Sequence, residues 1–315
     1  MNYSKILLFL GLTFGLSILS LFIPGMILEN GSILEPILKL MLYCWAPAGA
    51  AILTQKYIYK GSMARYGWNR KRFSFSWIGL TLLLPVGVVF GTVLTVFIMG
   101  NVLRLPGFGE VIMGAGLMPF GKASIFTGID GLVGDVMQVM LIPEIQMPAE
   151  IVPLFVMILI GGIIGGTTIN LLFNVGEEVG WRGFMLSETK SMGFMGSNLI
   201  VGSLWGMWYI PLLFDLSSLN STAILGDLLA LVGYSVSLAY VLAYLSIKTR
   251  SVYASATFHG VLNNISLLSF FFIWGENPLF GSIKGLAGMF VFLFLTFLII
   301  RFDKPFIEKY REWVY

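Results

Sequence analysis

Long, continuous apolar runs constrain this sequence more than any other feature. They lie near 6–27, 33–58, 77–99, 151–173, 199–214, 224–247, 252–274 and 286–300. Most approach the ~20 residues that cross about 30 Å of hydrocarbon as a helix; the fifth and eighth are short. Hydrocarbon offers no partner to open backbone groups, so a spanning segment is either a helix or a strand of a closed barrel. Barrel strands alternate apolar and polar residues, and these runs do not. Only 11% of the chain is charged, against about 25% in soluble domains. The expected fold is all-α: a polytopic membrane bundle of about eight transmembrane helices, hence an integral, multi-pass protein with the lipid bilayer as its first partner.

Charge placement sets the expected orientation. Lys5, the cluster Lys56, Lys60, Arg65, Arg70, Lys71 and Arg72, then Arg182 with Lys190, Lys248 with Arg250, and the tail from Arg301 to Arg311 all fall on one side after alternate crossings. The opposite loops carry Glu29, Glu35, Glu110, Asp130, Asp135, Glu144, Glu150, Asp215 and Glu276. Lys and Arg mark the cytoplasmic side, so both termini are expected there. The first run lacks a small-residue cleavage site and is too long for a signal core, so it reads as a retained helix. With no further basic patch, nucleic acid is excluded as a partner. The one cysteine, Cys44, excludes an intrachain disulfide and a cysteine-based metal cluster; it reads as a core residue. No internal repeat is visible, which gives a transporter reading no support. One membrane domain is expected: three spans over 1–100, an acidic extracytoplasmic loop over 101–150, a motif-bearing core over 151–275, and a last span with a cytoplasmic tail over 276–315. An amphipathic piece near 133–142 would lie on the membrane surface or serve as a lid.

Ionisable groups within a span are costly and usually functional, and three runs carry them. The fourth delivers Asn170, Asn174, Glu177, Glu178 and Arg182 near its cytoplasmic end. Glu178 and Arg182, four apart, share a helix face suited to an ion pair. Glu177 then points about 100° away, available as a general base. The bland alternative is an ion pair at a helix end. The seventh run places His259, the chain's one histidine, about two turns into the bilayer, with Asn263 one turn deeper on the same face. Such a pair can donate to one small group, or the imidazole can bind a metal, act as a base, or simply bond to a neighbouring helix. Asn264 faces elsewhere and reads as packing. So does the segment Trp205-Gly206-Met207-Trp208-Tyr209-Ile210-Pro211 of the fifth run when taken alone. Glu177, Glu178, Tyr209, His259 and Asn263 are expected to converge in the cytoplasmic half of the membrane.

Together these segments resemble the CPBP family (CAAX proteases and bacteriocin-processing or immunity proteins, also called Abi) over about 151–274. Glu177, Glu178 and Arg182, followed by Gly183-Phe184, match its Glu-Glu-x-x-x-Arg motif, and His259 with Asn263 its His-x-x-x-Asn motif. The middle motif, Phe-x-x-x-His, keeps its frame with Trp205 for the phenylalanine and Tyr209 for the histidine. The resemblance implies an intramembrane endopeptidase acting on a membrane-embedded or membrane-associated peptide or protein. Glu177 would activate water, Arg182 would set the carboxylate pair, and His259 with Asn263 would hold the oxyanion. The resemblance leaves open a zinc site, with Glu177 and His259 as candidate ligands, and a metal-free site. A single histidine weakens zinc, because catalytic zinc usually takes three protein ligands. The alternative it implies is a non-catalytic relative, a membrane scaffold or immunity-type protein; Tyr209 is the residue that divides the two.

Overall fold

The computed structural model describes residues 1–28, 32, 34–68, 75–112, 151–216, 221–313 and 315; the expected loop piece near 133–142 lies outside them. The first helix, α1 (Tyr3–Ile27), starts at Asn2, whose side chain accepts the Lys5 N–H. It packs along α2 (Leu34–Ile52), which continues as π-helical turns over Leu53–Ile58. Helix α3 spans Phe75–Val96 and ends in a further π-helical stretch, Phe97–Val102. Among the described residues five helices are long and apolar enough to cross a membrane, or six if one bent run counts as a single span. The fifth and seventh runs are built from shorter pieces, so the count of eight stays an expectation while the polytopic helical fold is plain.

The bent run carries the first motif. Sequence reasoning takes 151–173 as one span, but the helix breaks at Thr168, separating α4 (Ile151–Thr167) from α5 (Ile169–Glu178), with a 49° bend between the runs on either side. The cause is local. Thr167 and Thr168 turn their hydroxyls back onto Ile163 and Ile164 carbonyls, a competition with the helix ladder that bends helices. Beyond Glu178 the backbone runs through π turns, Val179–Met185, before a last α turn, Leu186–Thr189.

Helix α6 (Gly193–Trp208) and the short α7 (Ile210–Leu216) meet at a kink at Tyr209, just before Pro211, which cannot continue the amide ladder. The long α8 (Ser221–Thr249) packs on α6, and α9 (Val252–Ile265) opens at Ser251, whose hydroxyl accepts the Tyr253 N–H. The expected span 252–274 is corrected here: its helix stops at Ile265, a 3-10 stretch runs Ser266–Phe271, and Ile273–Trp274 pair antiparallel with Glu110–Val111. A short helix α10 (Pro278–Gly281) precedes α11 (Leu286–Phe302) and α12 (Lys304–Glu308).

Two close approaches set the motif helices. At Gly176 and Gly180 of the α5 run, a Cβ would lie 2.5 Å from Cys44 O and 2.3 Å from Pro47 Cβ of α2. At Gly166 of α4 it would lie 2.5 Å from Val261 Cα of α9. Backbones this close put their polar side chains within direct reach of one another.

Basic groups expected on the cytoplasmic side gather at one end of the bundle. There Lys5 Nζ reaches Glu188 Oε1 at 2.7 Å and the Tyr66 hydroxyl at 2.8 Å, and Arg65 joins Glu188 at 3.2 Å. Lys190 bonds to Trp313 O and Lys248 to Asp303 at this end too. The two-stranded pairing of Glu110–Val111 lies with the other set of loops.

Candidate functional site

The buried carboxylates of Glu177 and Glu178 are bound by different helices. Trp205 Nε1 and the Tyr209 hydroxyl both donate to Glu177 Oε2, each at 2.9 Å. They sit four apart at the end of α6, so one helix face presents both donors. Glu178 Oε1 accepts from Arg182 Nη1 at 3.2 Å and lies 3.2 Å from His259 Nδ1 on α9. Trp205 ties the halves together: the Arg182 guanidinium lies 4.0 Å over its ring, and the His259 ring meets it edge-on, with centroids 5.3 Å apart. Relative exposure is 3% for Glu177, 0% for Glu178, 1% for Arg182 and 3% for His259, so these four side chains are closed to solvent.

Burial at this depth demands compensation, since an uncompensated charge in a low-dielectric interior costs several kcal/mol. The Glu178–Arg182 pair supplies part of it from within one helical run. The cation–π stacking of Arg182 on Trp205 adds to it and fixes the guanidinium plane. Even so, Glu178 Oε2, Arg182 Nε, Arg182 Nη2 and the neighbouring Trp181 Nε1 make no hydrogen bond within the described chain. This is an unusual density of unpartnered polar atoms, because buried polar groups are nearly always bonded.

Five of the six candidate residues are therefore brought into one connected group: Glu177, Glu178, Arg182, Tyr209 and His259. Asn263 is not bonded to it. It lies one turn further along α9, half-buried, and its amide makes no hydrogen bond among the described residues. Its neighbour Asn264, expected only to pack, accepts from Asn170 Nδ2 and donates to Gly162 O at 3.2 Å. That ladder spans α5, α9 and α4 across the break at Thr168.

Sequence reasoning missed Trp205, which it takes as packing. The signal was the i, i+4 spacing of two side chains that each end in a donor, Trp205 and Tyr209, ahead of a proline. Tyr209 itself is half-buried and packs on Trp208, whose indole donates to Ser17 Oγ of α1 at 2.6 Å and whose carbonyl takes the Tyr43 hydroxyl of α2. Cys44 is buried beside Glu177. Helices outside the motif region thus form the wall behind the site.

The donor set does not fit zinc. One imidazole is present, the Glu178 oxygen beside it is already shared with a guanidinium, and no three His, Cys, Asp or Glu side chains among the described residues are grouped to hold a metal.

Residues 148–265 match the family model for type II CAAX prenyl endopeptidases, Rce1-like. The match opens just before α4, closes at the end of α9 and contains all six candidate residues, while α1 to α3 and the last span lie outside it. No curated protein matches the chain.

Proposed function

From residues 148–265, which match the Rce1-like model of type II CAAX prenyl endopeptidases, we propose that this multi-pass membrane protein is an intramembrane endopeptidase whose base is Glu177. The substrate class follows the family's description: a prenylated C-terminal peptide of a membrane-associated protein. The observation that carries the reading is the division of labour between the carboxylates. Glu177 Oε2 is occupied by Trp205 and Tyr209, which leaves Oε1 to meet water.

In this reading Glu177 takes a proton as the water oxygen attacks the scissile carbonyl, then returns it to the leaving amine as the C–N bond breaks. The oxyanion is met by His259 Nε2–H and by the Asn263 amide, the unbonded donor on the same helix. An oxyanion donor is worth roughly 3 kcal/mol in comparable sites. Glu178 orients His259 through Nδ1; donation from Nε2 requires a proton on both ring nitrogens, since a neutral ring that donates from Nδ1 leaves Nε2 an acceptor. Arg182 and Glu178 retain unpartnered polar atoms that a substrate amide or water can satisfy, which supports an occupied site.

A second reading rests on Tyr209 and on closure. A phenol is a poor base at neutral pH, and a sealed cluster suits a scaffold or immunity-type relative that keeps the fold without turnover. The two separate in one assay. Purified protein in detergent is given a prenylated CAAX peptide and its unprenylated twin, alongside Glu177→Gln. Cleavage of the prenylated peptide by the parent, lost in Glu177→Gln, is the expected result. No cleavage of either peptide by the parent would establish the non-catalytic reading.

A further inference from the structure

A residue 133 positions away in sequence holds the Arg182 main chain. The turns over Val179–Met185 are π-helical, and the Leu186 N–H still bonds back five residues to Trp181 O before α geometry resumes. A return from five-residue to four-residue bonding skips one carbonyl, which must find a donor elsewhere. The next carbonyl in line is that of Arg182, and the Tyr315 hydroxyl donates to it at 2.6 Å. The same hydroxyl lies 3.2 Å from Ser246 Oγ of α8.

The ring that delivers this hydroxyl is seated firmly. Tyr315 is 7% exposed and packs with Val175, Val179, Val252 and Ala256. Its seat exists because position 67 is glycine: φ there is +74°, and a Cβ would come within 2.7 Å of the ring. Gly67 O accepts the Val252 N–H that opens α9. The tail leading to Tyr315 is pinned as well, through Lys190 Nζ on Trp313 O at 2.7 Å and the Tyr310 hydroxyl against Ser197 Oγ at 2.6 Å. One side chain thus touches the run bearing Glu178 and the start of the helix bearing His259.

We propose that Tyr315, outside the segment matched to the family, is a positioning residue for the glutamate site. Its hydroxyl fixes the Arg182 main chain in the π turn, so that the guanidinium reaches Glu178 while lying on Trp205. The effect on turnover rests on the endopeptidase reading; the effect on the Arg182 turn does not.

Tyr315→Phe keeps the ring against Gly67 and removes only the donor, whereas Tyr315→Ala empties the seat. For Tyr315→Phe in detergent, amide hydrogen exchange across 179–187 is expected to rise while the melting temperature falls clearly less than in Tyr315→Ala. Cleavage of the prenylated peptide should lose roughly tenfold in kcat with KM unchanged, as for a misplaced rather than absent group. Tyr315→Ala should melt lower. Faster exchange in a chain whose parent cleaves nothing would uphold the positioning role and sink the endopeptidase reading. Unchanged exchange in Tyr315→Phe, or a fall in melting temperature matching that of Tyr315→Ala, overturns the proposal.

Discussion

Glu178 is fully buried and holds both Arg182 and His259 on one of its oxygens. Removing one member of a fully buried pair typically costs ~3–5 kcal/mol because the survivor is left charged and alone. Glu178→Gln and Arg182→Gln should therefore each lower thermal stability in detergent, and the double variant should lose clearly less than their sum. Additive losses would mean that the pair is not coupled. Tyr209 invites the opposite experiment. If the chain is a protease working with a weakened base, Tyr209→His should raise cleavage, since imidazole can share the proton with Glu177. If the phenol is instead tuned to Glu177, both Tyr209→His and Tyr209→Phe should lower it; rates across pH 5–9 distinguish these outcomes. Much at this scale was legible in the sequence. The spacing of Glu178 and Arg182 gave their pairing, and order in the chain gave the company of His259. Trp205 was not legible, because tryptophan in a span is ordinarily apolar bulk; only the fold shows its N–H aimed at Glu177. Asn263 and Asn264 show the same limit. They differ by one position on a helix, and which amide joins a partner depends on the helix it faces.

Elements were legible as apolar runs and much less so in their breaks. The bend at Thr168 comes from two hydroxyls turning onto their own helix, a competition that hydropathy does not register. The π turns at Val179–Met185 leave no apolar signature at all. Close packing across the break depends on position 166. A Cβ there would fall 2.5 Å from Val261 Cα and 2.6 Å from Val261 N, both main-chain atoms that cannot rotate away. Gly166→Ala should therefore part α4 from α9 and lower the melting temperature, at about 1–3 kcal/mol for overpacking of this kind. Gly11→Ala, where nothing lies within 4 Å of the new methyl, is the matched control and should be neutral or slightly stabilising, as alanine is the better helix former. Equal effects from the two would show that the α4–α9 contact does not limit stability.

For the whole molecule the sequence supplied the helical membrane fold and a sidedness, because both depend on bulk hydropathy and on where Lys and Arg fall. The structure adds that the presumed cytoplasmic groups touch one another: Lys5, Arg65 and Glu188 at one point, and Lys190 with Trp313 at another. The orientation is readily tested because the chain has a single cysteine, Cys44. In a Cys44→Ser background, Ala64→Cys and Lys309→Cys, both exposed, should react with an impermeant maleimide only when the cytoplasmic face is opened. Pro106→Cys, exposed among the opposite loops, should react on intact cells. Labelling of position 64 on intact cells would invert the topology.

The pairing of Glu178 with Arg182 also bears on how this chain enters a membrane at all. Both charges belong to one helical run, so they can neutralise each other as soon as that run coils, before any later segment exists. Glu177 waits only for the next helix to bring Trp205 and Tyr209, and His259 arrives last, onto a carboxylate already held. Each polar group is thus matched in the order in which the ribosome releases it. In a translocation reporter carrying residues 151–216, Arg182→Ala should reduce insertion of the run. His259, absent from that fragment, should prove dispensable for insertion, whatever it does in the finished protein.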